Sequence, residues 1–307
     1  MTDNSPRLTG VSPVLEVPFD PAGRVDVDSF HRVVAHVLGT GVDSVMFPGY
    51  ASEFHKLTDD ERVDLRDVLL ATTSAHGVPA IISVPDHATV VAVRRAVDAA
   101  HAGAAAINLL PPHLLGPAPD AVRAHIGAVA DAVAPLPVVL QVAPAQTGTS
   151  LDPAVVAALA RRHPNLRYVK VEAVPPGPFI TALGATDPAL PAFVGYAGLH
   201  LPDALRRGAA GVQPGCSFTE LYVAIWRHWH GGAVDEALAL HTRMLPYLSY
   251  WMQGVELIVA AEKLISARRG LIDHPTCRDP ARRLDAEEVT TVDRFLAEFA
   301  DLLPPVR

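Results

Sequence analysis

Lysine is nearly absent from this 307-residue chain. Lys and Arg total 25, but Lys56, Lys170 and Lys263 are the only lysines, and the other 22 are arginines. Where a fixed positive charge is enough, this sequence uses Arg, so each lysine raises the question of whether its position needs an amine that can lose a proton. Cysteine is scarce too. Cys216 and Cys277 are far apart, and two lone thiols in a reducing cytoplasm fit better than the one bridge that is formally possible. No stretch reaches roughly 18 uninterrupted apolar residues, which excludes a membrane-spanning helix. Met1–Thr9 is polar and lacks the apolar core of a signal peptide. A formal charge of −8 argues against a nucleic-acid partner. There is no Gly-rich phosphate loop, no zinc-ligand spacing and no Ser/His/Asp set, so nothing calls for a metal.

Half of the residues are hydrophobic, and they fall into a regular alternation. Short apolar runs at Pro13–Phe19, Ser44–Gly49, Ala80–Pro85, Ala105–Pro111, Val138–Ala143, Arg167–Glu172, Ala192–Tyr196 and Gly211–Pro214 read as strands buried on both faces. Helical patterns lie between them. Asp28–Leu38 spaces Phe30, Val33, Val34 and Val37 on one face, and Thr58 with Glu61 forms a capping box ahead of Val63, Leu65 and Leu69. Further helices are expected over Ala88–Ala102, Asp120–Ala132 and Pro153–Arg161. Eight strands with intervening helices predict an α/β fold, a (β/α)8 TIM barrel over residues 1–230. The remainder, 231–307, reads as a C-terminal helical extension, with helices at Ala233–Trp251, Val255–Arg269 and Asp285–Leu303 after the barrel's last helix at Phe218–His230. Trp226, Trp229 and Trp251 are expected to pack in this half. His228 and His230 face opposite ways on a helix, which fits a solvated end better than a metal site.

A barrel of this kind carries its chemistry at the C-terminal ends of the strands. Tyr168-Val169-Lys170-Val171-Glu172 places Tyr168, Lys170 and Glu172 on one face and the valines on the other. If the valines meet helices, Lys170 points inward. An ordinary lysine with pKa near ~10.4 is almost fully charged at neutral pH, and burial favours its neutral, nucleophilic form. Two readings stand: a nucleophile, or a lysine held in an ion pair with Glu172 or Glu53. The second strand ends in Gly49-Tyr50-Ala51-Ser52-Glu53-Phe54, where small residues let backbone amides approach a carboxylate and Tyr50 adds a phenol. Lys56 reads as solvated, Lys263 as a surface or interface charge, and His87 as a weaker candidate at the mouth.

At these residues the sequence resembles the dihydrodipicolinate synthase and N-acetylneuraminate lyase superfamily. The resemblance runs through Pro18-Phe19-Asp20, Gly49–Phe54, Leu57–Arg62, Pro111-Pro112-His113, Pro137–Gly148, Tyr168-Val169-Lys170, Gly270-Leu271-Ile272 and Arg278-Asp279-Pro280, in order. It implies a class I Schiff-base mechanism without metal or cofactor. Lys170 would attack the ketone of pyruvate or a related 2-keto acid, and the amides of Gly49, Tyr50 and Ala51 would hold its carboxylate.

The departures from the family pattern are specific. The relay tyrosine that ends the family's fifth strand is replaced by Gln141, and the arginine that grips a second carboxylate by Gln146. The two hydroxyl residues of the second loop become Tyr50 and Ala51. The tyrosine contributed to a neighbouring subunit becomes His113, and an apolar residue on strand eight becomes Gln213. Glutamine cannot ionise near neutral pH, so another group must move protons. Tyr50 is the first candidate and His113 the second. The expectation is a Schiff-base aldolase or lyase on a 2-keto acid and an aldehyde-like partner, but not a true dihydrodipicolinate synthase. Gln141, Gln213, Gln146 and Glu172 would line a polar pocket. The alternatives are a lysine-dependent dehydratase or decarboxylase, and a barrel that binds a keto acid without turnover. The resemblance also implies a cytoplasmic homotetramer built as a dimer of dimers.

Overall fold

A computed structural model describes residues 7–306; of the polar stretch Met1–Thr9, the part up to Pro6 lies outside it. Eight strands alternate with helices along the chain: β1 Gly10–Val11, β2 Val45–Phe47, β3 Ala80–Val84, β4 Ala106–Leu109, β5 Val138–Val142, β6 Leu166–Val171, β7 Ala192–Val194 and β8 Gly211–Val212. This is the (β/α)8 barrel fold, and among the described residues its last strand is followed by helices and no further strand. No helix among the described residues is long and apolar enough to cross a membrane. The chain falls into two compact units, one of Pro79–Gln213 with the residues up to Gly10, the other of Val11–Val78 with Pro214–Arg307.

In the first unit, β3 to β8 lie side by side in sequence order, all parallel. The strands are apolar on both faces because one face meets the helices and the other fills the interior. Val169 and Val171 are completely buried, as the alternation on β6 requires, and Lys170 between them is 4% exposed. The register sets Gln141 of β5 beside Lys170 of β6, and Ser83 of β3 beside Asn108 of β4. Helices Thr89–His101, Pro119–Val133 and Pro153–Arg162 occupy the expected places within a residue or two. Two more, Pro176–Gly184 and Leu201–Arg206, fill connections where no helical pattern stood out; the first opens on a proline-rich segment and the second is only six residues long.

In the second unit, the first expected strand is corrected. Pro13–Phe19 is buried but forms no continuous strand; it makes isolated bridges, Val14 to Met46 and Phe19 to Val25, and the strand proper is Gly10–Val11. Pro13 and Pro18 have no N–H to donate to a ladder, and Glu16 between them takes a hydrogen bond from the Ser266 hydroxyl. The capping box forms as expected: Glu61 N donates to Thr58 Oγ1 at 3.2 Å and Thr58 N to Glu61 Oε2 at 2.9 Å. Helices Val234–Trp251, Val255–Arg269 and Ala286–Glu298 form the C-terminal part. Trp251 is fully buried and meets Phe295 and Phe218 at ring distances of 5.2 and 6.4 Å, whereas Trp226 and Trp229 are half-buried and His228 and His230 exposed. Cys216 and Cys277 are both free thiols.

Candidate active site

Lys170 stands in the first unit at one end of a row of polar side chains that crosses four adjacent strands. Its Nζ lies 3.6 Å from Glu172 Oε1. Glu172 follows β6 directly and accepts from Gln141 Nε2 at 2.6 Å through its other oxygen. Gln141 Oε1 accepts from Asn108 Nδ2 at 2.9 Å, and the same Asn108 nitrogen donates to Ser83 Oγ, also at 2.9 Å. Asn108 is fully buried, Gln141 is 3% exposed and Ser83 is 7% exposed. Buried polar groups of this kind are costly unless bonded to one another, and here adjacent strands supply each partner.

The row has a tight backing. Gly195, the residue after β7, has no side chain, and a Cβ there would stand 2.4 Å from Glu172 Cγ. Glycine at this position leaves the carboxylate its place. The Lys170–Glu172 contact is an ion pair of the sort left open by the sequence, but it is a single, long one. Among the described residues, Glu172 is the one carboxylate that pairs with Lys170.

The other expected residues are distributed around this unit and the second one. Gln213 follows β8, is 2% exposed and donates its backbone N–H to Val194 O. Gln146 sits on the short turn Pro144–Thr147 and donates to Tyr196 Oη at 2.8 Å. Tyr196 itself has a left-handed backbone, φ 52°, unusual for a bulky residue. His113 stacks obliquely against His87, with ring centroids 4.5 Å apart, and its backbone N–H donates to His87 Nδ1. Partial burial, then the neighbouring His113, push His87 below the usual imidazole range.

Gly49, Tyr50 and Ala51 belong to the second unit. The Gly49 amide donates to Ser52 Oγ at 3.0 Å, a bond inside the loop itself. A Cβ on Gly49 would come within 2.6 Å of Val14 Cγ1, so close packing requires glycine here. Tyr50 meets the Phe54 ring edge-on at 5.3 Å.

Two lysine expectations are corrected. Lys263 is no surface charge; it is 1% exposed and donates to Glu53 Oε1 and to Thr276 O. The lysine on Glu53 is therefore Lys263, joined by Lys56 at 3.0 Å, and Lys56 is not solvated, with its side chain only 10% exposed. The apolar helix Val255–Arg269 is buried along most of its length, which is why a charge inside it had to find a buried partner.

Sequence reasoning missed Ser83, Asn108 and Tyr196. The first two carried a readable signal: each is a lone polar residue inside an otherwise apolar strand, Ala80-Ile81-Ile82-Ser83-Val84 and Ala106-Ile107-Asn108-Leu109.

The sequence profile of the dihydrodipicolinate synthetase family matches residues 7–299. The chain belongs to the dihydrodipicolinate synthetase family. Within the wider group of relatives it is 30% identical, over 92% of each chain, to L-2-keto-3-deoxyarabonate dehydratase of Azospirillum brasilense. It is 32% identical, again over 92% of each, to 4-hydroxy-tetrahydrodipicolinate synthase of Acidothermus cellulolyticus. The crystal structure of dihydrodipicolinate synthase from Rhodopseudomonas palustris superposes with a TM-score of 0.87 at 23% identity, covering 94% of this chain and 97% of that one, which shows the shared fold. Family membership therefore stands on the whole chain, and it spans relatives with different reactions.

Proposed function

We propose that the protein is a lysine Schiff-base lyase acting on 2-keto acids, and that its reaction is the loss of water from a 2-keto-3-deoxy sugar acid through Lys170. The observation that carries this reading is the Glu172 carboxylate 3.6 Å from Lys170 Nζ, in a row that has a glutamine where the resemblance implies a tyrosine. A base must stand within about one hydrogen bond of the proton it removes. The proton to be removed is carried by the carbon next to the iminium carbon, and Glu172 is the carboxylate beside the iminium nitrogen.

Lys170 Nζ attacks the ketone carbon, and the carbinolamine loses water to give an iminium. Glu172 takes a proton from C3, and the electron pair moves to nitrogen, forming an enamine. The enamine expels the C4 hydroxyl as water, with the proton returned by Glu172. Hydrolysis then frees the lysine. One carboxylate serves as base and then as acid. The dehydratase of Azospirillum brasilense, similar over 92% of both chains, supports this branch.

The second reading is aldol cleavage or addition on the same iminium, with pyruvate as the keto acid and an aldehyde as its partner; the similarity to a 4-hydroxy-tetrahydrodipicolinate synthase favours it. The products separate the two: cleavage releases pyruvate and an aldehyde, dehydration releases neither. A cytoplasmic homo-oligomer completes the proposal. Leu114 and Leu115 beside His113 are 68% and 96% exposed, an apolar tip suited to a subunit contact.

Borohydride reduction after incubation with pyruvate or with a 2-keto-3-deoxy acid, followed by peptide mass spectrometry, tests the common step. The adduct is expected on Lys170 and is lost in Lys170→Ala, with turnover falling at least about 1,000-fold. An unmodified Lys170 after reduction with both probes sinks the reading. An adduct without turnover of any keto acid would instead identify a binding protein.

A further inference from the structure

A carboxylate that works as base and then as acid must be comfortable in both charge states, and this site contains a device for that. Asn108 Nδ2 makes two hydrogen bonds, to Gln141 Oε1 and Ser83 Oγ, while Asn108 Oδ1 is buried with no hydrogen-bond partner among the described residues. Gln141 in turn gives its NH2 to Glu172. This sense of the row suits a charged Glu172, which can only accept.

Now turn both amides over. Gln141 presents its carbonyl to a protonated Glu172, which donates to it. The Gln141 NH2 donates to Asn108 Oδ1, which moves to where the nitrogen was. The Ser83 hydroxyl, able to donate or accept, donates to the same oxygen. Three bonds are kept in either sense, and the Asn108 group left over is its Oδ1 in one and its NH2 in the other. A serine at the far end is what permits this, because its hydroxyl serves both senses.

We infer that Ser83, Asn108 and Gln141 form a reversible hydrogen-bond row that positions Glu172 and supports it with and without its proton. Asn108 is the positioning residue at the centre: it touches Gln141, and through it sets whether Glu172 meets a donor or an acceptor. The inference rests on the Schiff-base reading above, and its test is built to separate the two. Pyruvate in D2O is the probe. Lys170 forms the iminium, Glu172 removes a methyl proton to give the enamine, and the carboxylic acid, exchanged with solvent, returns a deuteron. The rate of deuterium entry, followed by NMR across pH, reads both halves of the carboxylate's cycle.

Asn108→Asp, an acceptor on both sides, fixes the row in the reversed sense and turns the Gln141 carbonyl toward Glu172. The acid limb of the exchange profile is expected to move up by about one pH unit, with the pyruvate concentration at half-saturation changed less than about twofold. Asn108→Leu removes both senses; exchange should fall roughly tenfold, with less than half the shift of the aspartate variant. Borohydride trapping on Lys170 and the circular dichroism spectrum report that each variant is folded and competent. Variants that trap normally with an exchange profile superimposable on the parent's overturn the row and leave the Schiff base standing. No adduct in the parent protein overturns the Schiff-base reading itself. An adduct without any exchange in the parent removes Glu172 from its role, and the row's purpose with it.

Discussion

Lys170 and Lys263 are both buried, 4% and 1% exposed, yet their surroundings differ in kind. Lys263, in the second unit, is closed in. Its ammonium donates to Glu53 and to the Thr276 carbonyl and lies 4.3 Å from the Phe19 ring centroid, with the Arg278 guanidinium 4.4 Å from the same ring. Glu53 is itself saturated, accepting also from Lys56 and from the Arg278 amide. Lys170 has one carboxylate at 3.6 Å, and that carboxylate is shared with Gln141. A charge fully enclosed by partners is structural, since its interactions are already made; a charge with one long contact keeps its amine for something else.

The sharpest way to break this comparison is to remove each amine. Lys263→Met leaves the buried Glu53 with only Lys56 and the Arg278 amide and should cost about 3–5 kcal/mol of stability, because one partner of a buried ion pair is lost. Lys170→Met should cost under about 2 kcal/mol, since Glu172 keeps its bond from Gln141. Urea unfolding of the two variants is the measurement, and equal losses would show that the two lysines are not different after all.

How far the sequence reached follows the same division. The barrel was legible because strands buried on both faces repeat as apolar runs, and the reading failed at Pro13–Phe19 where two prolines interrupt the donors of a ladder. Lys170 was legible because it breaks an apolar alternation on one strand. Lys263 was misread because its partner Glu53 lies 210 positions away and nothing local marks the pairing. Asn108 and Ser83 stand in apolar strands just as Lys170 does, but neither ionises, so a search for titratable groups passed over them.

The second unit offers a milder contrast through its other carboxylates. Burial pushes Glu262 up to about 8 and Glu16 up to about 7; the like charge of Glu16 adds to the rise at Glu262, and that of Glu53 to the rise at Glu16. Ser217 Oγ donates to Glu262 Oε2 at 3.2 Å, and Gly215 leaves it room, for a Cβ there would fall within 2.3 Å of its carboxyl group. A carboxyl whose folded pKa is raised is protonated in the folded protein over a range where the unfolded chain ionises. Its contribution is therefore full below the ordinary carboxylate value of about 4.5 and is lost as pH rises through about 8. Glu262→Gln removes that loss. Unfolding at pH 5 and pH 9 should show the variant gaining on the parent at the higher pH, by roughly 2–4 kcal/mol, while a gap that does not change with pH would mean that Glu262 does not titrate in this window.

The smallest expected effect is at Lys56, which tests whether the second unit's network is closed from inside or from the surface. Lys56 Nζ reaches Glu53 Oε2 at 3.0 Å and Glu256 Oε1 at 3.6 Å, and the Glu256 side chain is 54% exposed. If Lys263 and the Arg278 amide already neutralise and bind Glu53, the third donor adds little. Lys56→Gln can still donate a hydrogen bond, and the loss should be about 1 kcal/mol or less. It should also shrink with added salt, because the outer contact is open to solvent and screened. A loss as large as that of Lys263→Met would make Lys56 an equal member of the pair and move the boundary of the closed network outward to the surface.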